Sequence, residues 1–181
     1  MPADLHIHST ASDGSYSPEK IITMAKNQGL TTISIADHDS IDGIDKAKKI
    51  GEKEEIEVIP AIEFSTFRGK AEIHILGYFI DYKDEKLLNK IREIFQARIN
   101  RAKKMIELLN QEGIEITYDQ VKALAGDKYI GRPHIARTMV EQGYIEEMGA
   151  AFCEDYIGNG GKAYVPKFKL TPEEAIKLII K

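Results

Sequence analysis

The chain has 181 residues, of which 43% are hydrophobic and 30% are charged, a composition sufficient for one ordinary domain with a core. Its formal net charge of −4 argues against a general nucleic-acid-coating or membrane-surface role, although it leaves room for a local basic groove. The single cysteine, Cys153, excludes an intramolecular disulfide framework and a cysteine-rich zinc site.

No apolar run approaches the roughly 20 residues that a membrane-spanning helix needs. The N-terminal segment also lacks the basic and then apolar pattern of a signal peptide. We therefore expect a cytoplasmic protein that associates with no membrane and has no stable protein partner.

Residues 1–82 alternate strand-like and helix-like patterns, which predicts βαβ units, an α/β fold and a largely parallel sheet. The predicted strands cover residues 4–8, 31–37, 56–64 and 72–80. Pro60 predicts that the third strand is short or locally irregular.

In the first predicted strand, apolar residues alternate with histidines. Because side chains two apart share a face, Leu5 and Ile7 are expected to pack against helices. His6 and His8 then share the opposite face.

Helix signals follow the first two strands. Ser17 and Pro18 predict an N-cap and a first helical position, and Gly29 predicts the end of that helix. Residues 40–50 place isoleucine and alanine at helical spacing and predict a second helix.

Residues 83–170 differ in kind and predict a helical insertion. Helices are expected over 87–109, 117–125 and 132–143. Thr117 is predicted to cap the second of these helices, and Pro133 to occupy the first position of the third.

The last segment, 171–181, opens with a capping box in which Thr171 is the N-cap and Glu174 the third helical residue. No glycine or proline then stops the helix before Lys181, so we expect a chain that is cut short within its fold. An incomplete domain exposes strand edges and helix faces, which predicts self-association.

Polar side chains follow the predicted strands where each one ends, or lie within the last of them. They are His6, His8, Asp13, Asp37, His38, Asp39, Glu63 and His74. Because the carboxyl ends of parallel strands open on one face, we expect these groups to converge. Imidazole and carboxylate suit Zn²⁺, Mn²⁺ or Fe, so the sequence predicts a metal site.

Each group taken alone has a simpler interpretation. The paired histidines can be hydrogen-bonded surface residues, and His38 can belong to a structural ion pair with its flanking aspartates. Glu63 can cap a helix, and His74, between two isoleucines, can be a core histidine. A metal site is favoured because all of these alternatives would have to coincide on one face.

Four segments resemble the successive motifs of the PHP (polymerase and histidinol phosphatase) metal-dependent phosphoesterases. They are DLHIHSTASDGSYSPEKII, IADHDSIDG, IEFST and IHILGYFID. A fifth segment, YIGRPHIARTMVEQGYI, resembles the insertion of a branch that includes nucleoside 3′,5′-bisphosphate phosphatases and 5′-to-3′ exoribonucleases.

The resemblance implies part of a distorted (βα)₇ barrel. Residues 1–82 would be its N-terminal part, 83–170 the insertion and 171–181 the start of the return to the barrel. The family completes its ligand set with a later histidine and a final Asp-x-His, but the last histidine of this chain is His134.

The resemblance also implies a cluster of two or three divalent metal ions. We expect manganese, with zinc, iron and magnesium as alternatives. His6 and His8 would share one ion, Glu63 would bridge to a second ion bound by His74, and Asp13 and His38 would hold a third. Asp37 and Asp39 are candidates for orienting imidazoles from outside the ligand set.

The implied activity is hydrolysis of nucleotide or short oligonucleotide phosphates by metal-activated water, with no further catalytic residue assigned. Arg132 and His134 are predicted to bind a substrate phosphate at the start of the third insertion helix. An ordinary surface ion pair is the alternative for Arg132. The alternative functions are a small-metabolite phosphatase, such as a histidinol-phosphate phosphatase, and a catalytically inert PHP module.

Overall fold

A computed structural model describes residues 2–126 and 130–180. The chain divides into two compact units. The first comprises residues 1–93 and 169–181, and the second comprises residues 94–168.

The first unit is built on a four-stranded sheet with strand order β1-β2-β3-β4. The strands are β1 (Ala3–Ile7), β2 (Thr32–Ile35), β3 (Glu57–Arg68) and β4 (Ala71–Tyr78). The first three strands are parallel, as expected, but β4 runs antiparallel to β3. Only two residues separate these last two strands, and a parallel crossover would need a dozen or more.

The expectation that Pro60 shortens the third strand was wrong, because β3 runs for 12 residues. Pro60 lies opposite Ile35, the last residue of β2, and pairing with β4 begins only at Ala61. The missing N–H of Pro60 therefore falls where the pairing passes from one neighbouring strand to the other.

Six α-helices occur in the described part of the chain. They are α1 (Pro18–Asn27), α2 (Ile44–Glu54), α3 (Glu85–Gln111), α4 (Tyr118–Ala125), α5 (Arg132–Glu141) and α6 (Pro172–Ile179). The predicted caps are present, since Ser17, Thr117 and Thr171 each accept a backbone N–H at their helix starts. The expectation that the last helix continues to Lys181 was wrong, because α6 ends at Ile179 and Ile180 is already extended. Lys181 itself lies outside the described residues.

Helices α1 and α2 bury an apolar core against the sheet. Its fully buried members are Ile21, Ile22, Ala25, Ile33, Ile35, Ala47 and Ile56. Ile7 packs against this core as expected, but Leu5 remains 40% exposed. The difference arises because β1 is an edge strand of the described sheet, and the helices cover only its last apolar residue.

The second unit has its own core, formed by the later part of α3 together with α4, α5 and the segment that follows. Its largest fully buried side chains are Met105, Leu109, Ile116, Ile135, Met139 and Ile157. Within the described residues, no helix is both long and apolar enough to cross a membrane.

Gly51 lies where α2 packs closely against the start of β3. A Cβ at this position would lie 2.6 Å from the Ile56 carbonyl oxygen and 2.7 Å from Val58 Cγ2. In an open helix Gly→Ala stabilises by about 0.5–1 kcal/mol, but here overpacking should reverse the sign. We expect Gly51→Ala to destabilise the chain by roughly 1–3 kcal/mol in urea unfolding.

The matched control is Glu52→Ala, at the exposed next position of the same helix, which should change stability by less than about 0.5 kcal/mol. A Gly51→Ala variant as stable as wild type would mean that the helix and strand are less closely packed than described.

Candidate metal centre

The sheet register brings the ends of β1 and β2 beside the middle of β3. Ile7 lies opposite Ile35, and three residues beyond β2 an isolated bridge joins His38 to Glu63. In the β3–β4 hairpin, His74 lies opposite Ser65, which is two residues from Glu63 and therefore on the same face. An antiparallel partner thus delivers the fourth histidine to the same place.

Glu63 is the meeting point of the site. Its Oε2 lies 3.0 Å from His8 Nε2, 3.2 Å from His6 Nε2 and 3.4 Å from His38 Nε2. Its Oε1 lies 3.1 Å from His74 Nδ1. The carboxylate is buried, with only 4% of the residue exposed. One buried carboxylate therefore faces four ring nitrogens from three separate segments.

Asp13 occupies the other side of His8. Its Oδ1 is 2.9 Å from His8 Nδ1, and its Oδ2 is 3.9 Å from His38 Nε2. The structure thus brings together all six residues that were assigned as ligands. They form three overlapping groups that could each hold an ion, and these are His6, His8 and Glu63; His8, Asp13 and His38; and His38, Glu63 and His74.

The donor set fits a cation better than it fits internal hydrogen bonding. An ionised Asp13 can only accept, so Nδ1 of His8 carries the proton and Nε2 presents a lone pair. That lone pair faces Glu63 Oε2 at 3.0 Å and His6 Nε2 at 3.0 Å. A divalent cation could take the His8 lone pair and the Glu63 oxygen as ligands together, and nitrogen with oxygen and no thiolate suits Mn²⁺, Zn²⁺ or Fe.

The electrostatics of the site favour the ligand-competent forms. Burial raises the pKa of Glu63, but the hydrogen bond with His6 and the neighbouring imidazoles outweigh it and hold that pKa below its usual value. Asp13 behaves in the same way, since burial is outweighed by the charge interactions with His38 and His8 and the hydrogen bond with His8. Burial lowers the pKa of His38, which keeps its imidazole neutral.

The two flanking aspartates both accept hydrogen bonds from serine residues. Asp37 accepts from Ser9 and Ser12, and only 2% of the residue is exposed. Asp39, with φ of 50°, accepts the Ser65 N–H at 3.0 Å. Their role in orienting imidazoles, which was inferred from their adjacency to His38, stays a prediction.

Three small residues of the loop that carries Asp13 were not predicted to belong to the site. They are Ser9, Ser12 and Gly14. A Cβ on Gly14 would lie 2.1 Å from the His8 carbonyl oxygen, so only glycine permits this close approach. The signal was present in HSTASDG, where small and polar residues separate His8 from Asp13.

Arg132 and His134 belong to the second unit, at the start of α5. The Arg132 guanidinium donates from Nη1 to the Ile157 carbonyl and to Asn159, both at 3.2 Å. It also lies 5.5 Å from the ring centroid of Phe152. Among the residues that the structure describes, these oxygens rather than a carboxylate are its hydrogen-bond partners.

His134 accepts the Gly131 N–H at its Nδ1, at 3.1 Å, and so carries its proton on Nε2 when neutral. Burial lowers the pKa of His134. The expected donation by a protonated ring is therefore disfavoured, because the half-buried imidazole prefers the neutral form. In that form only Nε2 can donate.

Comparison with protein families gives one match that covers almost the whole chain. The PHP domain family matches residues 4–180. The chain belongs to the PHP family.

Two curated relatives have names that refer to action on RNA or nucleotides. The chain is 38% identical over 162 residues to a 5′-3′ exoribonuclease of Haemophilus influenzae, covering 90% of this chain and 58% of that protein. It is 29% identical over 178 residues to a 3′,5′-nucleoside bisphosphate phosphatase of Chromobacterium violaceum, covering 98% and 62%. The chain thus spans about three fifths of these PHP proteins.

Solved structures agree on the PHP fold. An amidohydrolase from Chromobacterium violaceum, solved with sulfate and without metal, aligns with a TM-score of 0.80 at 28% identity over 99% of this chain and 63% of that one. A protein from Bifidobacterium adolescentis, described as a metal-dependent phosphoesterase, aligns with a TM-score of 0.80 at 30% identity over 98% and 62%. These neighbours confirm the predicted α/β class and PHP architecture.

The paired histidines of this PHP chain should be needed for metal and dispensable for folding. Both lie on β1 or directly after it and face Glu63, so His6→Ala or His8→Ala removes a ligand without opening the apolar core. We expect each to weaken metal binding by more than the roughly 10–100-fold that an outer contact is worth, measured by elemental analysis after dialysis.

The control is His134→Ala, which removes a half-buried histidine outside the site and should leave metal content unchanged. Unchanged metal content in both His6→Ala and His8→Ala would show that the pairing is purely structural.

Proposed function

We propose that this chain carries the metal-binding part of a phosphoesterase that hydrolyses nucleotide or short oligonucleotide phosphates. The observation that carries the proposal is the buried Glu63 carboxylate, which faces four imidazoles at 3.0–3.4 Å. Two of the possible ligand groups share the Glu63 carboxylate, an arrangement that suits a multi-metal cluster. The names of the relatives support the substrate class. We place the enzyme in the cytoplasm with its nucleotide substrates.

The residues divide between the ions in a definite way. On this proposal His6 and His8 would hold one ion, Glu63 and His74 would hold a second, and Asp13 and His38 would hold a third, with Glu63 shared between the first two. When bound, such ions supply Lewis acidity and a hydroxide nucleophile, and we expect manganese to do so.

The chain itself contributes a fixed geometry and fixed protonation states. Asp13 holds the His8 ring by its Nδ1–H and leaves Nε2 as the ligand atom. The pKa of Glu63 lies below its usual value, so the carboxylate stays ionised at neutral pH without a bound ion. The burial of Glu63 excludes water from one side of the site and strengthens its interactions with cations.

Arg132 and His134 are proposed to bind a phosphate that does not react. In support, the Arg132 guanidinium donates to a carbonyl and an amide oxygen, which are neutral acceptors that leave its charge in place. Planar donors of this kind match phosphate oxygens. The neutral His134 can add a hydrogen bond from Nε2, so a substrate with two phosphates would be preferred.

The test is hydrolysis by the full-length protein of four substrates. They are a nucleoside 3′,5′-bisphosphate, a 5′-phosphorylated short RNA, a nucleoside monophosphate and histidinol phosphate. We expect metal-dependent hydrolysis of the first two, lost with a chelator and restored by Mn²⁺. Glu63→Gln, which keeps the shape but removes the charge, should reduce this activity to background.

Preference for histidinol phosphate would instead identify a small-metabolite phosphatase. Hydrolysis of none of the substrates by the metal-loaded protein would indicate an inert module and contradict the proposal.

Arg132→Ala should affect the binding of only one of the two phosphates of the substrate. Loss of charged hydrogen bonds worth about 1.5–3 kcal/mol should weaken binding of the bisphosphate by roughly 10–100-fold. Binding of a simple monoester and metal content should stay the same. Equal losses on both substrates, or no loss, would contradict a phosphate-binding role, and Arg137→Ala on the exposed face of the same helix is the matched control.

A further inference from the structure

Asp37 is a buried carboxylate whose partners are all neutral. Its Oδ1 accepts the Ser9 N–H at 2.7 Å and the Ser12 hydroxyl at 2.6 Å, and its Oδ2 accepts the Ser9 hydroxyl at 2.6 Å. Only 2% of the residue is exposed. A buried carboxyl group needs hydrogen-bond partners, and these three donors satisfy both of its oxygens.

The donors belong to the loop that carries Asp13. Residues 9–12 connect His8 to Asp13, and the loop is closed by hydrogen bonds from the Ser12 and Gly14 N–H groups to the Ser9 carbonyl, at 3.1 and 2.9 Å. The Ser12 hydroxyl that donates to Asp37 also lies 3.3 Å from Asp13 Oδ1, but its single hydrogen cannot serve both carboxylates. Asp37 therefore holds Ser12, the chain neighbour of Asp13, and Asp13 in turn contacts His8.

The main chain of Asp37 reaches the opposite side of the site. Its carbonyl accepts the Glu63 N–H at 3.1 Å. One residue is thus bonded through its backbone to the strand that carries Glu63 and through its side chain to the loop that carries Asp13. Any displacement of Asp37 would change the separation of these two acidic residues.

Asp37 contributes no atom to the three possible ligand groups. Both of its oxygens are occupied by serine donors, so it is poorly placed to bind an ion directly.

We propose that Asp37 is a positioning residue that acts through Ser12 to fix Asp13, and that it thereby sets the affinity of the group formed by His8, Asp13 and His38. The inference rests on the metal centre of the proposed function and adds to it three residues, Asp37, Ser12 and Ser9, that act on the ions without touching them. Loss of such outer contacts typically costs 10–100-fold in metal affinity.

The experiment titrates the metal-free full-length protein with Co²⁺ and follows both binding and the visible absorption of the bound ion. Ser12→Ala breaks the link while Asp37 keeps its two contacts with Ser9, so the fold should survive. Ser12→Thr restores a hydroxyl. The matched control is Ser34→Ala. It removes a buried serine hydroxyl of the same unit that donates to the Ile59 carbonyl at 3.0 Å and not to the site.

We expect Ser12→Ala to weaken Co²⁺ binding by at least about tenfold and to alter the absorption of the bound ion. Ser12→Thr should recover most of the affinity. Ser34→Ala should lower the unfolding midpoint with Co²⁺ affinity within about twofold of wild type, because its hydrogen bond serves the sheet alone.

Two results would overturn the positioning role. One is unchanged Co²⁺ affinity in Ser12→Ala, and the other is an equal loss in Ser34→Ala, which would mean that general loosening is responsible. The readout is metal binding, so wild-type protein that binds Co²⁺ but hydrolyses no nucleotide would contradict the proposed activity alone. Wild-type protein that binds no Co²⁺ would overturn the metal centre and the positioning role together.

Discussion

The described site depends on one constraint, which is that the buried carboxylate of Glu63 must be compensated. An isolated ionised group out of water is costly, and this one is surrounded by four ring nitrogens at 3.0–3.4 Å. The imidazoles compensate the charge when they donate or when they share cations with it. The tautomer that Asp13 imposes on His8 removes one donor, so the arrangement favours cations.

The sheet satisfies this constraint by mixing two kinds of strand pairing. Parallel strands bring His6, His8 and His38 to one edge, because their carboxyl ends coincide. The antiparallel hairpin brings His74 back along Glu63 with a connection of two residues. The long β3 strand makes both possible, since its first half pairs with β2 and its second half with β4.

The loop after β1 shows how neutral residues can govern a charged site. The Asp37 side chain accepts hydrogen bonds from the serines of the loop. Gly14, which has no Cβ, allows the loop to approach the His8 carbonyl closely. In the second unit Arg132 is held against the Phe152 ring and two neutral oxygen acceptors, which order the guanidinium.

The sequence by itself determined the family, the helix caps and the chemistry of the site. The six ligand candidates could be predicted because histidine and carboxylate side chains recur at strand ends. The caps Thr117 and Thr171 could be predicted because capping depends on residues close together in sequence. Only the tertiary structure decided the antiparallel direction of β4, the exposure of Leu5 and the partners of Asp37. Spacing along a chain fixes which residue types are near in sequence. The register of strands and the direction of a buried hydrogen bond depend on groups far apart in sequence, which meet only when the sheet forms.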